Sequence, residues 1–168
     1  MPHVATGDML RAAIADRTPL GLEVESILQR GDLVPDATMV SLIRERLAEE
    51  DTDPGFVLDG FPRTLAQAES LDAMMREIDR SFTIVLALQV PDEVARQRML
   101  LRAQQEGRTD DTPEAIDRRL ELYHRETEPL LEHYRTRGRF VPIHGDRPVE
   151  AVFAEIEDAI ATATLDPR

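Results

Sequence analysis

Apolar residues recur along this chain in two rhythms, and the switches between them mark its elements. Gly7 to Arg17 and Leu20 to Arg30 carry apolar side chains at helical spacing, which predicts two short helices, with Thr6 as an N-cap and Gly31 as a C-terminal stop. Pro35 and Asp36 open a longer helix whose apolar face is Met39, Val40, Leu42, Ile43 and Leu47, ending at the acidic Glu49-Glu50-Asp51 cluster. Phe56 to Leu58, set between Gly55 and Asp59, predicts a short buried strand that turns at Gly60 and Pro62. Thr64 to Ile78 returns to helical period. Phe82 to Val90 is almost unbrokenly apolar, as expected of a central parallel strand covered on both faces. Pro91 and Asp92 start a helix to about Arg102, and the polar stretch from Ala103 to Asp111, with Gly107 inside it, predicts a flexible loop. Thr112-Pro113-Glu114 opens a helix carried by Ile116, Leu120, Tyr123, Leu130 and Tyr134, with a kink expected at Pro129. Arg139 to Ile143 gives a last strand, and after the His144 to Pro148 turn Val149 to Ala163 closes with an amphipathic helix. Strands alternating with helices at this spacing predict a three-layer α/β fold around a parallel sheet. No repeat or linker divides residues 1–168, so a single domain is expected.

Composition narrows the chemistry. The 168 residues include 20 basic and 33 acidic side chains, for a net charge of -13, and every basic residue is arginine; lysine, cysteine, tryptophan and asparagine are absent. Disulfides, thiolate nucleophiles, zinc ribbons and Schiff-base lysines are therefore excluded. The acidic balance argues against nucleic acid or an anionic membrane as the main partner. No run of eighteen apolar residues occurs, and Met1 to Arg11 lacks the charged start and apolar core of a signal peptide, so a cytoplasmic protein is expected. An anionic ligand would have to meet a local arginine cluster. Arg11, Arg63, Arg98, Arg102, Arg108, Arg118 and Arg119 fall at predicted element ends, and rigid, always-charged guanidinium forks suit a polyphosphate. The competing reading is that they pair with surface acids.

Local motifs favour the first reading. Thr6-Gly7-Asp8-Met9-Leu10-Arg11, then Gly31-Asp32-Leu33-Val34-Pro35-Asp36, then Gly55 through Thr64 with Gln67 one turn on, resemble the monophosphate-binding signatures of adenylate kinases. Pro91-Asp92-Glu93, Arg98, Arg102, the Arg108-Thr109-Asp110-Asp111 run, Arg119, Tyr123 and Glu126 through Leu130 continue the resemblance in the family's order over essentially the whole chain.

The resemblance implies the P-loop nucleoside monophosphate kinase fold and reversible transfer of a phosphoryl group from ATP to AMP, giving two ADP. It implies that Thr6, Arg11, the backbone of Asp32, Leu33 and Val34, the turn Gly60, Phe61, Pro62 and Arg63, and Gln67 hold AMP, with residues 5–34 as an AMP-binding subregion. Arg11 and Arg63 would clamp the α-phosphate, and the Gln67 amide can pair with a ring nitrogen and the exocyclic amine of adenine. Arg63, Arg108 and Arg119 are the implied catalytic residues, the last two converging on the transferring phosphoryl and reaching AMP as well. Arg98 and Arg102 would meet ATP, and Gly145 and Arg147 would line its adenine. Asp59 would hold magnesium-bound water, so Mg2+ is the expected cofactor. Asp110 and Asp111 would pair with arginine in a short lid over residues 102–112. The partners implied are ATP, AMP and ADP.

Members of the family begin with a strand, a glycine-rich loop ending in Gly-Lys, and a helix, and this chain's resemblance begins after them. Gly55 to Gly60 has the spacing of such a loop, but Phe56-Val57-Leu58 is strand-like and Phe61-Pro62 stands where Lys-Ser is needed, so it is rejected as a phosphate loop. The family's first strand lies mid-sheet, between the Phe56 strand and the Phe82 strand. Without it those strands either pair directly or leave a gap, and open edges could favour a dimer in a family of monomers. Two functions follow: an adenylate kinase, with competence in question without the loop, or an impaired AMP/ADP-binding sensor or interaction protein.

Overall fold

The computed structural model describes residues 1–138 and 140–165. Four strands, β1 (His3–Ala5), β2 (Val57–Asp59), β3 (Val85–Gln89) and β4 (Phe140–His144), alternate with helices α1 (Thr6–Ala15), α2 (Pro19–Gln29), α3 (Asp36–Leu47), α4 (Leu65–Glu77), α5 (Asp92–Glu106), α6 (Pro113–Leu122), α7 (Glu128–Arg135) and α8 (Val149–Leu165). The architecture is α/β with parallel strands: β1 pairs with β2 in the register Val4↔Leu58, and β3 with β4 in the register Leu86↔Val141. Arg139, expected to begin the last strand, lies outside the described residues.

Among the described residues no ladder joins β2 to β3, so the direct pairing considered from the sequence does not occur. What spans the two sheets is α4. Its Leu71, Met74 and Met75 belong to the main core with Val4, Leu10, Val24, Ile43 and Phe61, while its Ala68 packs with Leu130, Tyr134, Val85 and Phe140 on the other side. The expectation of a strand covered on both faces over Phe82 to Val90 is therefore corrected. Only Val85–Gln89 is strand, none of it is fully buried, and Leu88 is 53% exposed, so its two faces are not both covered; β3 is also partnered along one edge alone.

Close backbone approaches tie the helices that frame the site. A Cβ on Gly21 of α2 would stand 2.0 Å from the Ala13 carbonyl oxygen of α1, so these helices touch main chain to main chain. Gly31, at φ +74°, would place a Cβ 2.3 Å from the Ala115 oxygen, which seats the end of α2 on α6.

Two boundaries differ from the sequence reading. The polar stretch expected as a loop is helical as far as Glu106, and Gly107, left-handed at φ +65°, ends it. Gln104, Gln105 and Glu106 form helix well without contributing apolar period. The helix beginning at Pro113 does not simply kink at Pro129. Tyr123–Thr127 forms a π turn, in which the Glu128 N–H bonds to the Tyr123 carbonyl five residues back, and α7 follows. Proline cannot donate to the carbonyl four residues earlier and its ring crowds that oxygen, so the disturbance is absorbed upstream.

Candidate functional site

The strand β2 delivers its chemistry at its end, where Gly60 turns at φ +76°. Thr6 was expected to cap α1, but Ala5 occupies the cap position, and Thr6, 2% exposed, donates its hydroxyl to the carbonyls of Gly60 at 3.1 Å and Asp59 at 3.3 Å. It therefore fastens the start of α1 to the turn. A Cβ on Gly60 would lie 2.7 Å from that hydroxyl and 3.2 Å from Arg63 Nη2, so this close assembly needs glycine.

Arg63 is held at its main chain and at the root of its guanidinium. Its Nε donates to the Gly60 carbonyl at 2.9 Å, its N–H to Gln67 Oε1 at 2.8 Å, and its carbonyl accepts the Thr127 hydroxyl at 2.9 Å. Among the described residues no carboxylate pairs with it, and its two terminal nitrogens carry no hydrogen bond. The tip reaches solvent, but the surrounding protein is dense enough that desolvation lowers its pKa from the usual guanidinium value; the Arg119 charge and then Arg11 push the same way, against Asp59. Three mutually repelling cations thus converge where the two unused NH2 groups of Arg63 face outward, an arrangement that an anion relieves.

Beside it lies the arginine-rich segment after α5. Asp110 and Asp111 are 7% and 3% exposed, and four guanidiniums surround them. Arg108 Nη2 meets Asp110 at 3.0 Å and Arg119 Nη2 meets it at 2.9 Å, with Arg11 at 3.8 Å. Asp111 takes Arg102 at 2.7 Å, Arg108 at 3.4 Å, and the other arm of Arg119. Burial alone would raise the Asp110 carboxyl, but the bond to Arg108, its charge and then Arg119 overcome that and hold it at about 2. Arg11, Arg108 and Asp110 also line a recess of about 300 Å3 against Ile14 and Leu28.

Of the expected AMP-binding set, the structure brings Thr6, Arg11, Gly60, Arg63 and Arg119 together. Phe61 is 5% exposed in the main core and joins Pro62 through a cis peptide bond. Gln67 lies under the turn rather than open to a ligand. At 2% exposure, its Oε1 accepts from Arg63 N–H and its Nε2 donates to Asp36 Oδ1 at 2.8 Å. Asp36 also accepts the Thr64 hydroxyl at 3.0 Å, and Thr64 in turn caps α4. Asp32 is gripped by Arg118 at 2.9 Å and Arg30 at 3.0 Å, which lower its pKa, so Arg118 behaves as a structural ion-pair partner. Leu33 is half-buried and Val34 is 6% exposed.

The expected ATP-binding residues lie on the β3–β4 side. Arg98 Nη1 donates to the Gly145 carbonyl at 2.6 Å, and Gly145 N–H bonds to the Gln89 carbonyl at 2.9 Å. Arg147 pairs with Glu155, which also receives His144 at 2.9 Å. Asp59 is exposed at the end of β2, with His3 Nε2 3.1 Å away. Among the described residues no group of three or more His, Asp or Glu side chains is arranged to hold a metal directly. A single exposed carboxylate fits contact with metal-bound water rather than a protein cage. No described helix is long and apolar enough to cross a membrane.

Sequence reasoning missed Asp36, Thr64 and Thr127 as parts of this network. Thr64 carried a capping signal, but nothing in local pattern links Asp36 or Thr127 to a turn some 30 or 60 residues away.

The sequence profile described as adenylate kinase matches residues 1–139. A protein named adenylate kinase from a Cyanothece species is 48% identical over 160 residues, which covers 95% of this chain and 82% of that protein. Similarly named proteins from Phenylobacterium zucineum and Bifidobacterium longum are 45% and 42% identical, covering 97% and 93% of this chain and 86% and 84% of theirs.

Proposed function

The chain belongs to the adenylate kinase family, and from that premise we propose that it binds AMP at the Thr6–Gly60–Arg63 turn and takes part in reversible phosphoryl transfer between ATP and AMP. The observation that carries this reading is Arg63: a guanidinium anchored at Nε, with both terminal nitrogens unused among the described residues, facing Arg119 and Arg11.

In the proposed reaction an α-phosphate oxygen of AMP forms a bond to the γ-phosphorus of ATP while the bond from that phosphorus to the β,γ-bridging oxygen breaks, leaving two ADP. Arg63 and Arg11 hold the attacking phosphate in line. Arg119 and Arg108 supply positive charge to the equatorial oxygens of the transferring group. Asp110 and Asp111 keep these guanidiniums preorganised, and with Arg11, Arg102, Arg108 and Arg119 facing Asp110, Asp111 and the Asp8 partner of Arg11 the cluster stays net positive. Arg98 orients the Gly145 turn toward the ATP base. Asp59 would hold a magnesium-bound water, and the ion would supply positive charge to the phosphates. Because the chain contains no lysine, its contribution to phosphate binding is made by arginine and main-chain amides.

A coupled assay for ADP formation from ATP plus AMP tests the proposal. Activity above blank that falls at least a hundredfold in Arg119→Ala is expected. No ADP above blank from the unaltered chain at millimolar substrates sinks the transfer step, and ADP formation indifferent to Arg119→Ala sinks the role of the cluster.

A further inference from the structure

We propose that Thr127 is a positioning residue for Arg63 and that the π turn around it is what aims its hydroxyl; the inference rests on Arg63 being the anion clamp. Pro129 leaves the Arg125 carbonyl without its helical donor and crowds it, and the widened turn with its Glu128-to-Tyr123 bond accommodates this. One extra residue in a turn rotates everything after it by about 100° relative to an uninterrupted α-helix. In that altered frame the Thr127 hydroxyl donates to the Arg63 carbonyl at 2.9 Å, across 64 residues of sequence.

The bond matters because of what Arg63 must resist. Arg119 and Arg11 repel its guanidinium, Asp59 attracts it without forming an ion pair, and among the described residues no other carboxylate pairs with it. Its Nε is fixed to the Gly60 carbonyl, so the direction of its free nitrogens follows the orientation of its own main chain. Gln67 pins that main chain at the N–H and Thr127 pins it at the carbonyl. Gln67 is itself anchored to Asp36 at the start of α3. A chain of hydrogen bonds therefore runs from the π turn, through the Arg63 peptide groups, to α3. Thr127 bonds to the main-chain carbonyl of Arg63 and not to its guanidinium, so it acts through Arg63 and not on the ligand.

The test compares Thr127→Val, which keeps the shape and removes the donor, with Thr127→Ser, which restores the donor, in two measurements. Amide hydrogen exchange at Arg63 N–H, read by NMR without nucleotide, reports the anchor; calorimetric titration with AMP reports the clamp. One hydrogen bond of ordinary strength predicts about fivefold faster exchange and about five- to tenfold weaker AMP binding in Thr127→Val, with Thr127→Ser restoring both. Unchanged exchange in Thr127→Val overturns the inference whatever the nucleotide does. Faster exchange with unchanged AMP affinity also overturns it, since the bond then holds the turn without serving the clamp. If the unaltered chain takes up inorganic phosphate but no AMP, the AMP reading fails alone. The inference is then decided by whether Thr127→Val weakens phosphate binding by the same factor. An unaltered chain that takes up neither overturns both.

Discussion

Replacing Asp110 by Asn is the sharpest electrostatic perturbation available, because it removes one charge without changing shape. Asp110 lies between Arg108 and Arg119, with Arg11 3.8 Å away, and its carboxyl is held at about 2 against an ordinary 3.8. At full strength that depression is worth about 2 kcal/mol; solvent access at the rim of the cluster screens part of it, leaving about 1–2 kcal/mol. The sign follows from linkage: the folded pKa lies below the unfolded one, so the stabilisation is complete well above 3.8 and drains away as pH falls from there toward 2. Urea unfolding of the unaltered protein and Asp110→Asn should therefore differ by about 1–2 kcal/mol at pH 7 and by roughly half of that at pH 3. A gap that stays constant from pH 7 to pH 3 would show that the variant acts through packing, and the account of a charge-held cluster would be wrong.

Other parts of the structure make independent demands. Gly31→Ala must push a Cβ into the Ala115 carbonyl while holding φ near +74°, so a loss of about 2–4 kcal/mol is expected in thermal or urea unfolding; a loss under about 0.5 kcal/mol would contradict the main-chain contact between α2 and α6. Arg98→Met, which removes the bond to the Gly145 carbonyl, should raise KM for ATP about tenfold and leave KM for AMP within twofold, and equal changes in both would remove Arg98 from the ATP side. His124 carries a raised pKa through its bonds to Glu128 and Asp92, so these contacts favour the folded state below its unfolded value of about 6.5 and weaken as pH rises through the folded one. The difference between the unfolding curves of His124→Gln and the unaltered protein should accordingly be largest below about pH 6.5 and shrink as pH rises from there, and a difference that does not shrink would assign the residue another role.

Much of the fold was legible because its punctuation is local. β2 fell within one residue of its expected place, since Gly55 and Gly60 bracket it, although it is not the buried strand expected, Val57 being 48% exposed; Thr112-Pro113 starts α6 as expected, with Thr112 accepting from Ala115 N–H at 3.2 Å. The failures share a physical cause, namely interactions that apolar spacing does not register. The end of α5 is built from polar helix formers, and the effect of Pro129 appears a turn upstream because the orphaned carbonyl is Arg125. The site divides in the same way. Arg63, Arg11 and Arg119 could be named from motif and charge. That Gln67 is spent on Asp36, or that Thr6 serves the Gly60 turn instead of capping α1, depends on contacts between residues 31 or more positions apart.

The central claim is that Arg63, with Arg11 and Arg119 beside it, forms the seat of the AMP phosphate. Calorimetric titration of the protein with AMP and with adenosine, repeated on Arg63→Ala, addresses it most directly. The account predicts measurable AMP binding, adenosine binding at least a hundredfold weaker, and an Arg63→Ala protein that no longer tells the two apart, consistent with loss of a charged hydrogen-bonded contact worth about 2–3 kcal/mol. AMP and adenosine binding equally well to the unaltered protein, or Arg63→Ala retaining full preference for AMP, would contradict it.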